Sequence, residues 1–312
     1  MRLRLVLAAC FAVAGCADIL GIDDGIPREG GAADVTLDAP SDAGVDAPKA
    51  PCNLASPFGT PAPLAALNSG AIEQHPRLSP DELTITFQRI VANAGYDLFT
   101  ATRPSTTASF SPPSPIGDLD TPANEADLSV SPDGLRAYFA SDREGGLGGY
   151  DIWQAERDAA ASAWGLVAPT LNVNSTQTDN TSYYVPGALY FSSTRGTGGA
   201  DIYRASEQSG GFASPLLVAE IASPAGDAFP VVSTDELRIY FASTRGDGGA
   251  TWQPYTATRA TAAAPWNAPT LVSELADFGN AIPGWISPDG CRLYLSSDKG
   301  GDYDLYVASK SP

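Results

Sequence analysis

Ser131-Pro-Asp-Gly-Leu-Arg-Ala-Tyr-Phe-Ala-Ser141 decides the fold, because it pairs a turn with an apolar strand and then recurs. SPDELTITFQR (79–89), VPGALYFSS (185–193), STDELRIYFAS (233–243) and SPDGCRLYLSS (287–297) are its sister copies. Phe87, Phe139, Phe191, Phe241 and Leu295 stand at one position of this unit, spaced 52, 52, 50 and 54 residues apart. A fixed period near 50 marks a repeat architecture. In the turn, proline presets its backbone dihedral, and aspartate and glycine accept turn geometry. The apolar segment that follows is rich in residues suited to a pleated, buried sheet.

Two further strands complete each unit. ADLSVS (126–131) precedes the turn, and YDIWQA (150–155) follows a glycine-rich loop, with YDLFTA (96–101), ADIYRA (200–205), WQPYTA (252–257) and YDLYVA (303–308) as its counterparts. A fourth strand lies between an aromatic residue and an aliphatic one nine positions on: Phe58/Leu67, Phe110/Leu119, Trp164/Val173, Phe212/Ile221 and Trp266/Leu275. Four antiparallel strands repeated radially describe a β-propeller blade. The chain stops after the third strand of the fifth unit, while an extra fourth strand precedes the first. An edge left unpaired at that point would be exposed. The expected fold is therefore all-β, a five-bladed β-propeller over 51–312 closed by its own N-terminal outer strand.

Residues 1–15 carry Arg2 and Arg4, then the apolar run LVLAACFAVA, too short to span a bilayer and laid out as a signal peptide. VAGC resembles the lipobox of bacterial lipoproteins, which implies lipidation of Cys16 and attachment to the membrane through that lipid anchor alone. Ala17 after the cysteine implies, by the same resemblance, the outer membrane. Residues 17–50 hold eight acidic residues against Arg28 and Lys49 among Ala, Gly and Pro, and are read as a disordered acidic linker. With Cys10 in the signal and Cys16 lipidated, Cys52 and Cys291 remain as a candidate disulfide.

The chain has 18 basic and 36 acidic residues, a net charge of −18, and no basic stripe. This excludes nucleic acid as a partner and favours basic protein faces or cations. No zinc spacing, EF-hand loop or phosphate-cradling glycine motif is present, so no cofactor is called for.

SPDG, the SDRxGG or STRGxGG loops and the YDIW strands resemble the PD40 or WD40-like repeats of TolB-type propellers and bacterial envelope lipoproteins, over residues 70–312. The resemblance implies the fold and an envelope location, and leaves the task open.

Residues present in every copy are best explained by what every blade needs. Arg143, Arg195, Arg245 and Lys299 are expected to pair across the loop with Asp97, Asp151, Asp201 and Asp304 of the third strands. Glu73, Glu125, Asp179 and Asp227 stand six residues before the turn and are expected to ring one mouth of the channel, the placement used by five-bladed glycosidases. Symmetry-breaking residues on the same strands are His75, Arg77, Asp127, Tyr183, Phe229 and Trp285. Arg77 with Tyr183, Phe229 and Trp285 is expected to form an aromatic and cationic funnel that anchors a protein or stacks on a sugar. The sequence reads as a non-enzymatic envelope scaffold binding a protein partner, with a glycan-binding module or a lipid-anchored glycosidase as the alternatives.

Overall fold

The computed structural model of the protein describes residues 52–91, 95–246 and 248–312. The signal peptide, Cys16 and the acidic linker lie outside the described residues. Five antiparallel sheets form the described part. The first blade runs through Glu73–Leu78, Thr84–Val91, Gly95–Thr102 and Ser114–Pro115, and the second through Glu125–Val130, Arg136–Ser141, Asp151–Glu156 and Ala168–Pro169. The third holds Asp179–Val185, Ala188–Ser193, Asp201–Gln208 and Leu216–Leu217, with a short extra strand at Gly211–Phe212. The fourth holds Asp227–Val232, Arg238–Ser243, Gln253–Thr258 and Thr270–Leu271. In the fifth, Ile282–Ile286, Arg292–Ser297 and Asp304–Ser309 take Ala62–Pro63 as their outer strand.

Closure is thus circular, with Ala62 opposite Val307 and Pro63 opposite Tyr306. Cys52 and Cys291 form a disulfide across the same blade, their Cα atoms 5.7 Å apart. The first strands of the five blades pack on one another in an unbroken cycle and form the axis. The outer strands pair over only two residues each. Pro63, Pro115 and Pro169 have no N–H for the ladder, and backbone bonds from the next residue, such as Ile116 N–H to the Leu98 carbonyl at 2.8 Å, hold these strands together with buried side chains. The aliphatic anchors Leu67, Leu119, Val173, Ile221 and Leu275 are at most 1% exposed.

The residues that set the period are the centre of each blade. Phe87, Phe139, Phe191, Phe241 and Leu295 are all 1% exposed or less. Burying such a side chain is worth roughly 1.5–3 kcal/mol. The turns owe their shape to local hydrogen bonds: Ser79 Oγ donates to Asp81 at 2.6 Å, and Asp81 accepts from the Leu83 N–H at 3.0 Å. Ser233, Asp235 and Leu237 repeat the pattern. The hydroxyl of Ser79 and the Leu83 N–H hold the Asp81 carboxyl below the usual range, and Ser131 does the same for Asp133.

Every first strand carries a register shift, between Gln74 and Arg77, Ala126 and Ser129, Asn180 and Tyr183, Ala228 and Val231, and Pro283 and Trp285. His75, Asp127, Thr181 and Phe229 take left-handed φ values of 52–59° there. Such bulges bend a strand and re-aim its side chains. Gly284 has a different reason, since a Cβ on it would stand 2.5 Å from the Pro76 carbonyl oxygen of the first blade.

Candidate functional site

The residues singled out on the first strands separate into three groups along the axis. At the strand starts, Glu73, Glu125, Asp179 and Asp227 are completely buried. Each is paired with an arginine, Arg89, Arg143, Arg195 and Arg245 respectively. Each also accepts from the connection arriving from the preceding blade, as Glu125 does from Thr121 N at 2.9 Å and Asp227 from Ser223 N at 2.8 Å. The same arginines donate to the carbonyls of the aliphatic anchors, Arg143 to Leu119 at 2.7 Å and Arg245 to Ile221 at 2.5 Å. These acids fasten one repeat to the next and do not ring an open mouth. The expected pairing of the arginines with third-strand aspartates gives way to this arrangement. Antiparallel pairing sets Glu125 opposite Ser141, which brings Arg143 over the first strand. Asp151 instead accepts from the loop N–H groups of Leu147 and Gly148. In the fifth blade, Ala281 replaces the acid and Lys299 Nζ donates to the Asp277 carbonyl at 3.0 Å.

Mid-channel, a chain of contacts passes from blade to blade. His75 Nδ1 lies against the Asp127 carboxylate and 3.1 Å from Gln88 Oε1, and Asp127 accepts from Thr181 N at 3.1 Å. Ser192 Oγ then accepts from Phe229 N at 3.2 Å. Burial alone would raise the Asp127 pKa, but His75 and Arg77 outweigh it and hold the carboxyl below its ordinary value. Phe229 packs 4.9 Å from the His75 ring and 5.3 Å from Trp252, so it belongs to this plug and not to the expected funnel.

At the turn end, Arg77, Tyr183 and Trp285 do come together, as the floor of a cavity of about 1070 Å³. Arg77 crosses the axis, donating to the Gly284 carbonyl and, at 3.4 Å, to that of Ser182, and lies 4.7 Å over the Tyr183 ring. Burial lowers the Arg77 pKa against the opposing pull of Tyr183 and Asp127, and it pushes the Tyr183 phenol up to about 12. Tyr183 and Trp285 are 6% and 8% exposed, so they close the channel more than they project from it.

The cavity does not stay on the axis. It runs outward between the first and second blades along Thr84, Thr86, Thr100 and Thr102 on one side and Leu128, Val130, Arg157 and Trp164 on the other. One substitution in the repeat accounts for this opening. The position before the central aromatic is Tyr138, Tyr190, Tyr240 or Tyr294 in four blades and Thr86 in the first. Each tyrosine fills the gap to the next blade. Tyr138 stacks on Tyr184 at 5.2 Å, Tyr190 meets Glu236 at 3.4 Å, Tyr240 faces Phe58 at 6.0 Å, and Tyr294 donates to Glu82 at 2.8 Å. All four are at most 3% exposed, whereas Thr86 is half-buried.

Charged latches join three of the four tyrosine-filled seams. Glu82 joins Arg292 and Tyr294 of the fifth blade to Arg103 of the first. Glu236 joins Arg204 and Tyr190 of the third blade to Arg259 of the fourth. Glu207 joins the third blade to Arg136 of the second. Glu82 and Glu236 occupy left-handed positions, φ 60° and 56°, where sister turns have Gly134 and Gly290. Between the first and second blades the equivalent position is Gly134, and among the described residues no carboxylate forms an ion pair with Arg157. Arg157 instead donates to the Gly134 carbonyl at 2.7 Å and lies 4.0 Å over Trp164. The aligned second strands show Thr86 as the exception, a signal that the first strands alone do not carry.

No protein-family model matches the chain, and no curated protein matches it. Among solved structures it is similar to TolB from Acinetobacter baumannii, with a TM-score of 0.51 and 18% identity over 79% of this chain and 56% of that one. The chain thus spans little more than half the length of that TolB. It is also similar to an α-L-arabinofuranosidase from Podospora anserina, solved in complex with cellotriose, with a TM-score of 0.55 and 12% identity over 84% of this chain and 98% of that one. The catalytic domain of a GH62 α-L-arabinofuranosidase from Coprinopsis cinerea gives a TM-score of 0.50 and 14% identity, covering 82% and 98%. At these identities the likeness is one of fold: the chain is a five-bladed β-propeller, similar in fold to TolB and to these arabinofuranosidases.

Proposed function

We propose that this protein is an exported, lipid-anchored binding propeller of the bacterial envelope that holds a partner protein and performs no chemistry. Its acidic linker supplies reach, and the cavity at the turn end supplies the binding surface. The observation that carries this reading is the cavity itself: among the described residues, the interface between the first and second blades lacks the tyrosine that fills the other four, and it is continuous with the Arg77, Tyr183 and Trp285 floor. Large pockets with a few convergent polar groups are the usual ligand sites of a fold. The glycosidase alternative needs two carboxylates that reach substrate. Glu73, Glu125, Asp179 and Asp227 are instead each sealed and neutralised by arginine, which weighs against that alternative. A glycan-binding module is the second reading, favoured by the four threonines beside Trp164 in the same cavity.

The test is crosslinking in intact cells of a tagged copy, comparing wild type with Tyr183→Ala/Trp285→Ala. A specific protein recovered from wild type and lost from the variant supports the scaffold. Recovery of no protein, together with retention on an immobilised oligosaccharide, replaces it with the glycan reading.

A further inference from the structure

We infer that the open interface between the first and second blades is a receptor slot for a tyrosine side chain supplied by the partner, an inference that rests on the binding role proposed above. Four sister interfaces show what a filled slot contains. In two of them the inserted tyrosine hydroxyl accepts from an arginine at one third-strand position: Arg259 Nη2 reaches Tyr190 Oη at 3.3 Å, and Arg103 Nη2 reaches Tyr294 Oη at 3.1 Å. Arg157 occupies that position in the second blade, two residues after the recurring third-strand alanine Ala155, just as Arg103 and Arg259 follow Ala101 and Ala257. It faces a slot whose own repeat supplies Thr86 instead of a ring. The tyrosine with its hydroxyl and the carboxylate of the sister slots are missing here, and Arg157 donates to the backbone carbonyls of Gly134 and Ser162.

The walls match the missing group. Ile116, Val130 and Trp164 are partly buried side chains packed on the local core, and Trp164 is half-buried where Phe58, Phe110, Phe212 and Trp266 of the other outer strands are at most 7% exposed. A ring lying between Val130 and Trp164 would cover that surface, aromatic pairs being worth about 0.5–1.5 kcal/mol beyond their area. Burial lowers the Arg157 pKa, in keeping with a guanidinium that has backbone carbonyls but no carboxylate beside it. Residues 16–50 contain no Phe, Tyr or Trp, so the linker of the same chain has no ring to offer and the occupant comes from another molecule. The threonine hydroxyls along the remaining length suit the backbone of an extended segment carrying that tyrosine.

The probe is N-acetyl-tyrosinamide, titrated by NMR into the full chain beside N-acetyl-phenylalaninamide and N-acetyl-leucinamide. The expected result is a saturable shift of the Trp164 indole signal and of the Thr86 and Val130 amides, with tyrosine binding best and leucine worst. Thr86→Tyr rebuilds the sister arrangement, and it should keep the fold and lose the shifts. Arg157→Met keeps the slot open and should remove the preference for tyrosine over phenylalanine, up to about tenfold for one hydrogen bond. Equal response to leucine, persistence of the shifts in Thr86→Tyr, or an unchanged preference in Arg157→Met overturns the inference. A partner still captured in cells by Thr86→Tyr but lost from Tyr183→Ala/Trp285→Ala would remove the tyrosine slot and leave the binding role of the cavity standing.

Discussion

Among the described residues, four of the five blade interfaces are filled by a tyrosine, and three of those carry a charged latch at the turn end; the interface between the first and second blades has no such tyrosine or latch, its charged contact being the His75–Asp127 pair in mid-channel. The same backbone repeat therefore yields two kinds of boundary, decided by single side chains. Thr86 in place of tyrosine opens the seam, and Gly134 leaves it without the carboxylate of Glu82 or Glu236; Gly290 stands at the same position of the fifth blade, where Tyr240 keeps the seam filled. In a propeller each blade depends on its neighbours for burial, so a seam without such contacts is a stability cost that the ring tolerates because it is closed elsewhere.

Breaking the closure should have the largest effect. Removing residues 51–70 takes away Ala62–Pro63, Phe58, Leu67 and Cys52 together, leaving Asp304–Ser309 as a bare edge. Resistance to trypsin across the whole domain is expected to disappear, and a truncated chain that resists as well as the parent would show that the ring does not need its N-terminal strand. Next in size is the contrast between a latched seam and the open one. Glu82 is 3% exposed and bound by Arg292, Arg103 and Tyr294. Its replacement by glutamine strands two guanidinium groups and should cost about 3 kcal/mol in chemical denaturation. Arg157→Met, at the open seam, should cost no more than about 1 kcal/mol.

The smallest effect is a pH dependence near the open seam. Burial raises the Asp120 pKa from 3.8 to about 6, offset in part by its bond from the Leu98 N–H at 3.4 Å. A carboxyl whose folded pKa lies above its unfolded one favours the folded state when protonated. Its contribution is therefore whole below pH 3.8 and lost as pH rises through about 6. Asp120→Asn should flatten the stability profile across that window, and an unchanged slope would place the titrating group elsewhere.

Much of this architecture is legible in the residues. The spacing of Phe87, Phe139, Phe191, Phe241 and Leu295 marks the blade centres because burial of a large side chain is required once per sheet. The surplus Phe58 to Leu67 strand shows how the ring closes, since a missing strand at one end and an extra one at the other have a single economical arrangement. Partners across blades are harder to read. Glu82 and Arg292 are 210 residues apart, and neither turn sequence nor periodicity links them. Arg143 stands eight residues before Asp151 and by sequence is its natural mate, yet the antiparallel register carries it to Glu125. On the first strands, symmetry breaking correctly separates Arg77, Tyr183 and Trp285 from the repeated acids, but charge alone does not distinguish an acid lining a channel from one clamped beneath an arginine. Thr86 is visible in the sequence, in a column whose other members are all tyrosine.

A partner that enters the open seam must pass Thr102. A photo-crosslinking amino acid placed at Thr102, exposed in the cleft, is compared in intact cells with one at Thr258, which pairs with Arg238 in the fourth blade as Thr102 pairs with Thr84 in the first. A discrete protein adduct from position 102 that is absent from position 258 is the predicted result. Equal adducts from both positions, or an adduct from 258 alone, would contradict it.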